Sequence, residues 1–147
     1  MMNELMTRIK LHEGLRLMPY EDSLGKLTIG YGHRMTKVDE ITYEHGITQG
    51  MAEEIFERDF AKAAAQALSI SGGKTWADMG NPRRGVIIEM CFQLGMGGVL
   101  KFRRMWDALD KGDYEAAAAE MLDSRWHTQT PKRCKLLANI MKSGGVA

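Results

Sequence analysis

The feature of this sequence that most constrains its fold is a change of hydrophobic spacing between residues 13 and 20. Residues 3–12 carry apolar side chains at helical spacing, and Gly14 is typical of the position just past a helix C-terminus. From Tyr20 the pattern alternates with the period of a strand, and residues 27–31 continue that alternation after a glycine turn. The junction therefore predicts a helix that ends at residue 13 and leads directly into a β-hairpin.

The remainder of the chain favours helices. Thr48 is an N-cap candidate, and the spacing after it predicts a long helix over about residues 48–69. Glycine and proline then divide residues 80–147 into several shorter helices, with a break at residues 95–98 and one helix near residues 114–126. Residues 36–46 are weakly patterned and predict a loop or a short third strand. Because no strand pattern follows residue 46, the predicted fold class is α+β.

We expect a single domain of 147 residues with two lobes. The small lobe would span about residues 13–48, and the helix over 48–69 would connect it to a helical lobe of about residues 80–147. The N-terminal helix, residues 3–13, would belong with the helical lobe. Such lobes would leave a cleft between them, which is the usual place for a ligand.

Charge is unevenly distributed along the chain, although the net charge is only +1. Residues 1–80 hold nine Lys and Arg against twelve Asp and Glu, while residues 81–147 hold eleven against seven. A basic C-terminal half suits an acidic polymer such as nucleic acid, an anionic cell wall or a membrane surface. The alternative is an ordinary solvated helical face, and charge alone does not choose between them.

The two cysteines and four histidines show no zinc-ligand spacing, so we expect no metal and no other cofactor. Cys91 and Cys134 lie in apolar helical patterns, which favours buried free thiols. The N-terminus lacks the apolar core of a signal peptide, and no apolar run approaches the length of a membrane span. We therefore expect a protein that is made in the cytoplasm and has no stable membrane insertion.

Four polar residues near the junction are candidates for one site: Glu13, Asp22, Thr28 and His33. Glycoside hydrolysis needs a protonated carboxylic acid and a second carboxylate that activates water or acts as a nucleophile. Glu13 has apolar sequence neighbours and suits the acid, whereas Asp22 lies beside a solvent-facing turn and suits the base. Thr28 could hold the attacking water. Each residue also has an ordinary structural explanation, so these four residues alone do not establish a catalytic site.

Longer motifs resemble one known family. E-G-L-R-L at residues 13–17, followed by Y-x-D-x-x-G-x-x-T-I-G-Y-G-H at residues 20–33, closely resembles the lysozymes of the T-even phages and related phage endolysins, glycoside hydrolase family 24. Further matches are the segment that begins at Gly46, F-Q-L-G at residues 92–95, and S-R-W and Q-T-P ahead of Arg133. Four matches in order are far more specific than a pair of carboxylates.

The resemblance implies a lysozyme-like fold and a muramidase that cuts the β-1,4 bond between N-acetylmuramic acid and N-acetylglucosamine in peptidoglycan. It implies inversion of configuration, with Glu13 as the general acid and with Asp22 and Thr28 placing the water. It also implies that His33 forms a structural ion pair with Asp59. Such a pair would stabilise the fold only between the folded-state pKa values of its two groups.

The resemblance further implies a set of substrate contacts in the cleft. Phe92 and Gln93 would line the cleft, and Arg133 would lie near Glu13. We count Arg34 and Arg133 as predicted substrate contacts. Subsite preferences do not transfer, because the residue type differs from that of the family's best-known member at three sugar-contacting positions: Arg34, Met105 and Glu120.

The resemblance predicts a monomeric endolysin that does not bind nucleic acid. It would accumulate in the host cytoplasm and reach periplasmic peptidoglycan with the help of a separate holin-like membrane protein. One rival is lytic transglycosylase action on the same bond, which needs the acid but not the water-placing pair. Other rivals are a non-enzymatic wall-binding or membrane-disrupting protein that acts through basic helices, and a protein with the fold but no activity.

Overall fold

The computed structural model describes residues 2–145 and combines helices with a small antiparallel sheet, which confirms the predicted lysozyme-like α+β fold class. In chain order the elements are α1 (Met2–Glu13), β1 (Arg16–Glu21), β2 (Leu27–Gly30), β3 (His33–Arg34), α2 (Lys37–Thr42), α3 (Gln49–Ser71), α4 (Gly73–Met79), α5 (Asn81–Leu100), α6 (Arg103–Asp110), α7 (Tyr114–Leu122), α8 (Arg125–Gln129) and α9 (Pro131–Ser143). The chain divides into two compact units, an N-terminal unit that ends at Lys62 and a C-terminal unit that begins at Ala63.

Helix α1 ends at Glu13, as its sequence pattern predicts. The helix buries Leu5 and Ile9, and the backbone amide of Gly14 donates to the Lys10 carbonyl at 2.9 Å. Gly14 then adopts a φ of 74°, which closes the helix in a conformation that other residues rarely accept. Glu13 therefore projects from the last turn of a packed helix rather than from a loop.

The three strands form one antiparallel sheet in the order β1-β2-β3. In the first pair Tyr20 lies opposite Thr28, and the ladder continues into the turn, where the Asp22 amide donates to the Lys26 carbonyl at 2.9 Å. Side chains two residues apart point to the same face of a strand, and directly opposite residues share that face. The register thus places Tyr20, Asp22 and Thr28 on one face of the hairpin.

Helix α2 corrects the sequence interpretation, which predicted a loop or a short third strand over residues 36–46. Thr36 and Asp39 form a reciprocal capping box: the Thr36 side chain accepts from the Asp39 amide at 3.1 Å, and the Asp39 carboxylate accepts from the Thr36 amide at 3.0 Å. No residue of α2 is buried, and Val38 and Ile41 are exposed. The helix therefore has no amphipathic stripe, and its cap defines it.

Helix α3 is the predicted long helix, displaced by one residue at its start and extended by two at its end. The Thr48 hydroxyl accepts from the Met51 amide at 3.1 Å, as an N-cap does. Apolar side chains at helical spacing are buried along it, including Ile55, Phe56 and Phe60. This burial holds the polar side chains of its first turns in place against α1 and the sheet.

Within its described residues, the C-terminal unit contains helices and the turns that connect them, and no strand. Helix α5 buries every residue from Gly85 to Cys91, and Gly95 breaks its regular geometry with a φ of 77°, where the sequence predicts a break. The predicted helix near residues 114–126 is in fact two helices, because the Ser124 side chain accepts from the His127 amide and starts α8 separately. Taken singly, no helix within residues 2–145 is long and apolar enough to cross a membrane; α5 and α6 pass that test only jointly, across a 98° bend.

Candidate functional site

Asp22 is held by the backbone of its own turn. One carboxylate oxygen, Oδ1, accepts from the amides of Leu24 and Lys26, each at 2.9 Å. The other oxygen, Oδ2, lies 4.0 Å from the guanidinium of Arg34, which is itself 63% exposed. The hydrogen bond from the Lys26 amide has the largest effect and lowers the pKa of Asp22. Burial opposes it, but the Leu24 amide and the charges of Arg34 and Lys26 add to it, so the pKa lies below its usual value. Asp22 is therefore an ionised carboxylate with one oxygen fixed by the chain.

Thr28 is buried beside this turn, with only 4% of its surface exposed. Its hydroxyl donates to the Lys26 carbonyl at 2.9 Å. The hydroxyl hydrogen is thereby committed, so the oxygen can act only as an acceptor towards a further partner. Asp22 and Thr28 are both hydrogen-bonded to the backbone of Lys26, and this shared partner fixes the position of one side chain relative to the other.

Glu13 packs directly onto the backbone of Gly32. A Cβ atom at position 32 would lie 3.0 Å from Cδ of Glu13 and still closer to its Oε1, which no ordinary contact allows. Gly32 also has a φ of 70°, a conformation that favours glycine. The positive φ of the turn between β2 and β3 therefore favours glycine here, and any side chain at position 32 would displace the Glu13 carboxyl.

Tyr20 belongs to the same region, although the sequence analysis treats it only as a strand residue. Burial, then the carboxylate of Glu13, raise the pKa of the Tyr20 phenol; Arg16 opposes the shift and Asp22 adds to it. The Arg16 guanidinium lies 4.4 Å from the centre of the Tyr20 ring. Both acidic groups are therefore within electrostatic reach of one phenol. The Y-x-D spacing was the available signal, because it places the two side chains on one face.

His33 lies between two carboxylates. Its Nδ1 is 2.7 Å from Oδ2 of Asp59 on α3, and its Nε2 is 3.0 Å from Oδ2 of Asp39 on α2. The hydrogen bond to Asp59 raises the pKa of His33, burial opposes that shift, and Asp39 adds to it. Asp59 is the partner that the family resemblance implies, whereas the contact with Asp39 was not predicted; the Thr36-x-x-Asp39 spacing marks only the cap of α2. The histidine therefore links the third strand to two helices.

Two of the predicted substrate contacts, Phe92 and Gln93, lie on α5 in the C-terminal unit. Both are partly buried. The Gln93 amide is held at each end: its Oε1 accepts from the Trp126 indole N–H at 3.0 Å, and its Nε2 donates to the Thr130 hydroxyl at 3.3 Å. The Gln93 side chain thus joins α5 to α8 and to the start of α9.

Arg133 is paired with a carboxylate that the sequence analysis misses. Its Nε donates to Oε2 of Glu89 at 2.9 Å, and Arg133 is 9% exposed while Glu89 is fully buried. A lone glutamate within the apolar run of α5 was the available signal, since a buried carboxylate requires a partner. The pair ties α9 to the central helix of the C-terminal unit.

A cavity of about 790 Å³ lies within the C-terminal unit. Met105, Phe102 and Trp126 supply part of an apolar wall. Charged residues of both signs also line the cavity: Lys101, Arg103, Arg104, Glu120, Asp123 and Arg125. A ligand with anionic groups and at least one cationic group would suit this lining. Across residues 2–145, His, Cys, Asp and Glu form no cluster of three that could hold a metal ion.

Comparisons with known proteins agree on one family. The family model for phage lysozyme matches residues 10–141. A probable T4-type lysozyme of Dictyostelium discoideum is 29% identical over 164 aligned positions, which cover 98% of this chain and 96% of the relative. The pre-baseplate central spike protein Gp5 of Enterobacteria phage T4 is 35% identical over 94% of this chain but only 27% of the spike protein. An endolysin of Acyrthosiphon pisum secondary endosymbiont phage 1 is 29% identical over 78% of this chain and 72% of its own length.

Proposed function

Because this chain belongs to the phage lysozyme family and is a peptidoglycan-hydrolysing lysozyme, we propose that it cuts the β-1,4 bond between N-acetylmuramic acid and N-acetylglucosamine with inversion of configuration. The observation that carries this mechanism is geometric: the Glu13 carboxyl at the end of α1 contacts the backbone of Gly32, which follows β2, and the hairpin register places Asp22 and Thr28 on one face. An acid at a helix end and an anchored carboxylate on the neighbouring hairpin are the two groups that the reaction requires.

Glu13 acts as the general acid in this proposal. As the glycosidic C–O bond breaks, the Glu13 carboxyl gives its proton to the leaving oxygen, and the bonding electrons go to that oxygen. The packed helix and the contact with Gly32 support this role, because they hold the carboxyl group in one place before substrate binds.

Asp22 and Thr28 place the attacking water on the opposite face of the sugar. Oδ1 of Asp22 is occupied by two backbone amides, which leaves Oδ2 to accept one hydrogen of the water. The Thr28 hydroxyl donates to the Lys26 carbonyl, which leaves its oxygen to accept the other hydrogen. As the water oxygen bonds to the anomeric carbon, Asp22 takes up the proton, so protons balance between the two carboxyl groups.

Glu13→Gln tests the proposal. The amide keeps the shape of the side chain but has no acidic proton, so we expect peptidoglycan hydrolysis to fall by about 10²–10⁴-fold with the fold retained. Turbidity loss of permeabilised Gram-negative cells measures the activity, and circular dichroism measures the fold. Glu4→Gln on the exposed first turn of the same helix is the matched control. Full activity of Glu13→Gln would remove Glu13 from the mechanism and favour membrane disruption by the basic helices.

The products distinguish hydrolysis from lytic transglycosylase action. Hydrolysis leaves reducing ends, whereas the rival reaction leaves anhydro sugars, and mass spectrometry separates the two. Nuclear magnetic resonance of the first products gives the anomeric configuration, and inversion predicts the α-anomer. Anhydro products would leave Glu13 as the acid but contradict the roles of Asp22 and Thr28.

The substrate contacts are also proposals. Phe92 and Gln93 on α5 would bind the glycan, and the guanidinium of Arg34 beside Asp22 would contact the sugar nearest the water. Arg133 would act close to the substrate through its fixed pairing with Glu89. The mixed charges around the C-terminal cavity would suit the carboxylates and amines of peptidoglycan stem peptides.

We propose the biological role of an endolysin that works as a monomer. It would accumulate in the host cytoplasm and reach periplasmic peptidoglycan once a separate holin-like protein permeabilises the membrane. The endolysin among its relatives supports this role. The chain spans only 27% of the T4 spike protein, so this relative is much longer than the region that it shares with the chain.

A further inference from the structure

Glu53 on α3 joins two segments next to the Glu13 carboxyl: the last turn of α1, which carries Glu13, and the turn between β2 and β3, which contacts it. The Tyr31 hydroxyl donates to Oε1 of Glu53 at 2.8 Å, and the Lys10 ammonium forms an ion pair with Oε2 of the same carboxylate. Lys10, then Tyr31, lower the pKa of Glu53, so the carboxylate is ionised at neutral pH. Each oxygen of Glu53 thus has its own partner.

Lys10 connects Glu53 to the helix that carries Glu13. It lies in the last turn of α1, and its carbonyl accepts the Gly14 amide that ends the helix. Its ammonium lies 5.3 Å from the centre of the Tyr31 ring and 4.9 Å from that of Phe56. A cation held by a carboxylate over two aromatic faces has little freedom, so the last turn of α1 is fixed against α3.

Tyr31 connects Glu53 to the turn on which the Glu13 carboxyl rests. The residue lies between Gly30 and Gly32, both with positive φ, in the turn from β2 to β3. Its ring is nearly buried and packs edge-on against Phe56 at a centre separation of 5.5 Å. Because the next residue, Gly32, contacts the Glu13 carboxyl, the anchor at Tyr31 determines where that contact surface lies.

We propose that Glu53 is a positioning residue for the catalytic acid. By holding Lys10 and Tyr31 on the two oxygens of one carboxylate, Glu53 sets the separation between the last turn of α1 and the β2–β3 turn. That separation determines where the Glu13 carboxyl lies when substrate binds. The inference rests on the proposed role of Glu13 and adds a residue that does not touch substrate.

Glu53→Gln tests the inference, with Glu54→Gln as the matched control. Glu54 is the next residue on α3 and is exposed, so the same chemical change there leaves the linkage intact. A glutamine at position 53 cannot accept from both Lys10 and Tyr31, because one of its two terminal atoms is a donor. We expect kcat on a soluble peptidoglycan fragment to fall by about tenfold, since a misplacement of about 1 Å can cost up to about 10² in rate. KM should stay within about twofold of the unaltered protein, and Glu54→Gln should change neither parameter.

Three further variants keep the test decisive if Glu53→Gln does not fold. Tyr31→Phe removes only the hydroxyl and should lower kcat in the same direction with KM unchanged. Lys10→Met should do likewise, and Lys10→Arg should restore most of the lost rate because it can again donate to Glu53.

A merely structural role would lower the melting temperature of these variants without lowering kcat of the folded protein, and that result would overturn the inference. Gly32→Ala displaces the Glu13 carboxyl directly, so its effect on kcat and that of Tyr31→Phe should be less than additive; full additivity would also overturn it. Full activity of Glu13→Gln would instead contradict the proposed function. An inactive Glu13→Gln together with unchanged kcat in Glu53→Gln would refute the positioning role alone.

Discussion

Two carboxylates, one in each unit, show opposite ways of holding a negative charge. Asp22 in the N-terminal unit lies on a solvent-facing turn and accepts from two backbone amides of that turn. Glu89 in the C-terminal unit is fully buried and accepts from Arg133, 44 residues away in sequence. The first is stabilised by the backbone amides of its own turn, and the second by a cation that is distant in sequence.

The difference separates reactivity from stability. Backbone amides hold one oxygen of Asp22, and the other oxygen is the one to which we assign the proposed proton transfer from water. For the buried carboxylate of Glu89, proton exchange with water would cost much more free energy, because its charge is stabilised by a guanidinium instead of by solvent. We therefore expect substitutions of Asp22 to change the rate and substitutions of Glu89 to change the free energy of unfolding.

The largest expected effect is a loss of peptidoglycan hydrolysis in the Asp22→Asn variant. The amide can still accept from the backbone amides of Leu24 and Lys26, but it cannot take a proton from water. Peptidoglycan hydrolysis should therefore fall by about 10²–10⁴-fold while the melting temperature changes little. Glu21→Gln is the control, because Glu21 is the adjacent exposed acid. An active Asp22→Asn would show that the anchored carboxylate is structural, and the contrast with Glu89 would disappear.

The next effect is on the stability of Glu89→Leu. Removal of one member of a buried ion pair leaves the other charge in apolar surroundings, so the free energy of unfolding should fall by about 3–5 kcal/mol. Urea denaturation measures this loss. The double variant Glu89→Leu, Arg133→Met should recover most of it, because well-packed apolar side chains often replace a buried pair without loss. If Glu89→Leu were as stable as the unaltered protein, the ion pair with Arg133 would contribute little to stability, and the contrast with Asp22 would be lost.

The smallest effect concerns pH and the pairing of His33. The pKa of His33 is raised above its ordinary value of 6.5, so its contribution to stability is complete below that pH and is lost as pH rises through the raised value. Burial raises the pKa of Asp39, but hydrogen bonds from Thr36 and His33 lower it overall below 3.8. Its contribution is therefore lost as pH falls through the lowered value. Stability from these groups should peak between the two pKa values.

Thermal unfolding checks this dependence. The melting temperature should be higher at about pH 5.5 than at about pH 8.5, and His33→Gln should reduce that difference. His45→Gln is the control, because His45 is 93% exposed and pairs only with an exposed neighbour among the contacts described. An unchanged difference in His33→Gln would show that the two carboxylates do not stabilise its charged form.

Prediction from the sequence succeeded where a glycine or an apolar period marks the end of an element. The end of α1 at Glu13 and the hairpin turn after Asp22 depend on glycines and on hydrogen bonds that span a few residues. Helix α2 was missed because an apolar stripe was expected, whereas the helix is exposed and depends on its cap at Thr36. The division between α7 and α8 was missed for the same reason, since the Ser124 cap is a local signal without an apolar period.

Local spacing by itself determined the order of helix and hairpin, the fold class and the presence of an acid, a carboxylate and a hydroxyl in one short stretch. Only the tertiary structure decided which residues distant in sequence form the hydrogen bonds and ion pairs around this stretch. Glu53 meets Lys10 and Tyr31 from 43 and 22 residues away, and Asp59 meets His33 from 26 residues away. The reason is physical: a turn or a cap is formed by atoms that adjoin along the chain, whereas the partner of a side chain depends on how packed helices bring remote residues together.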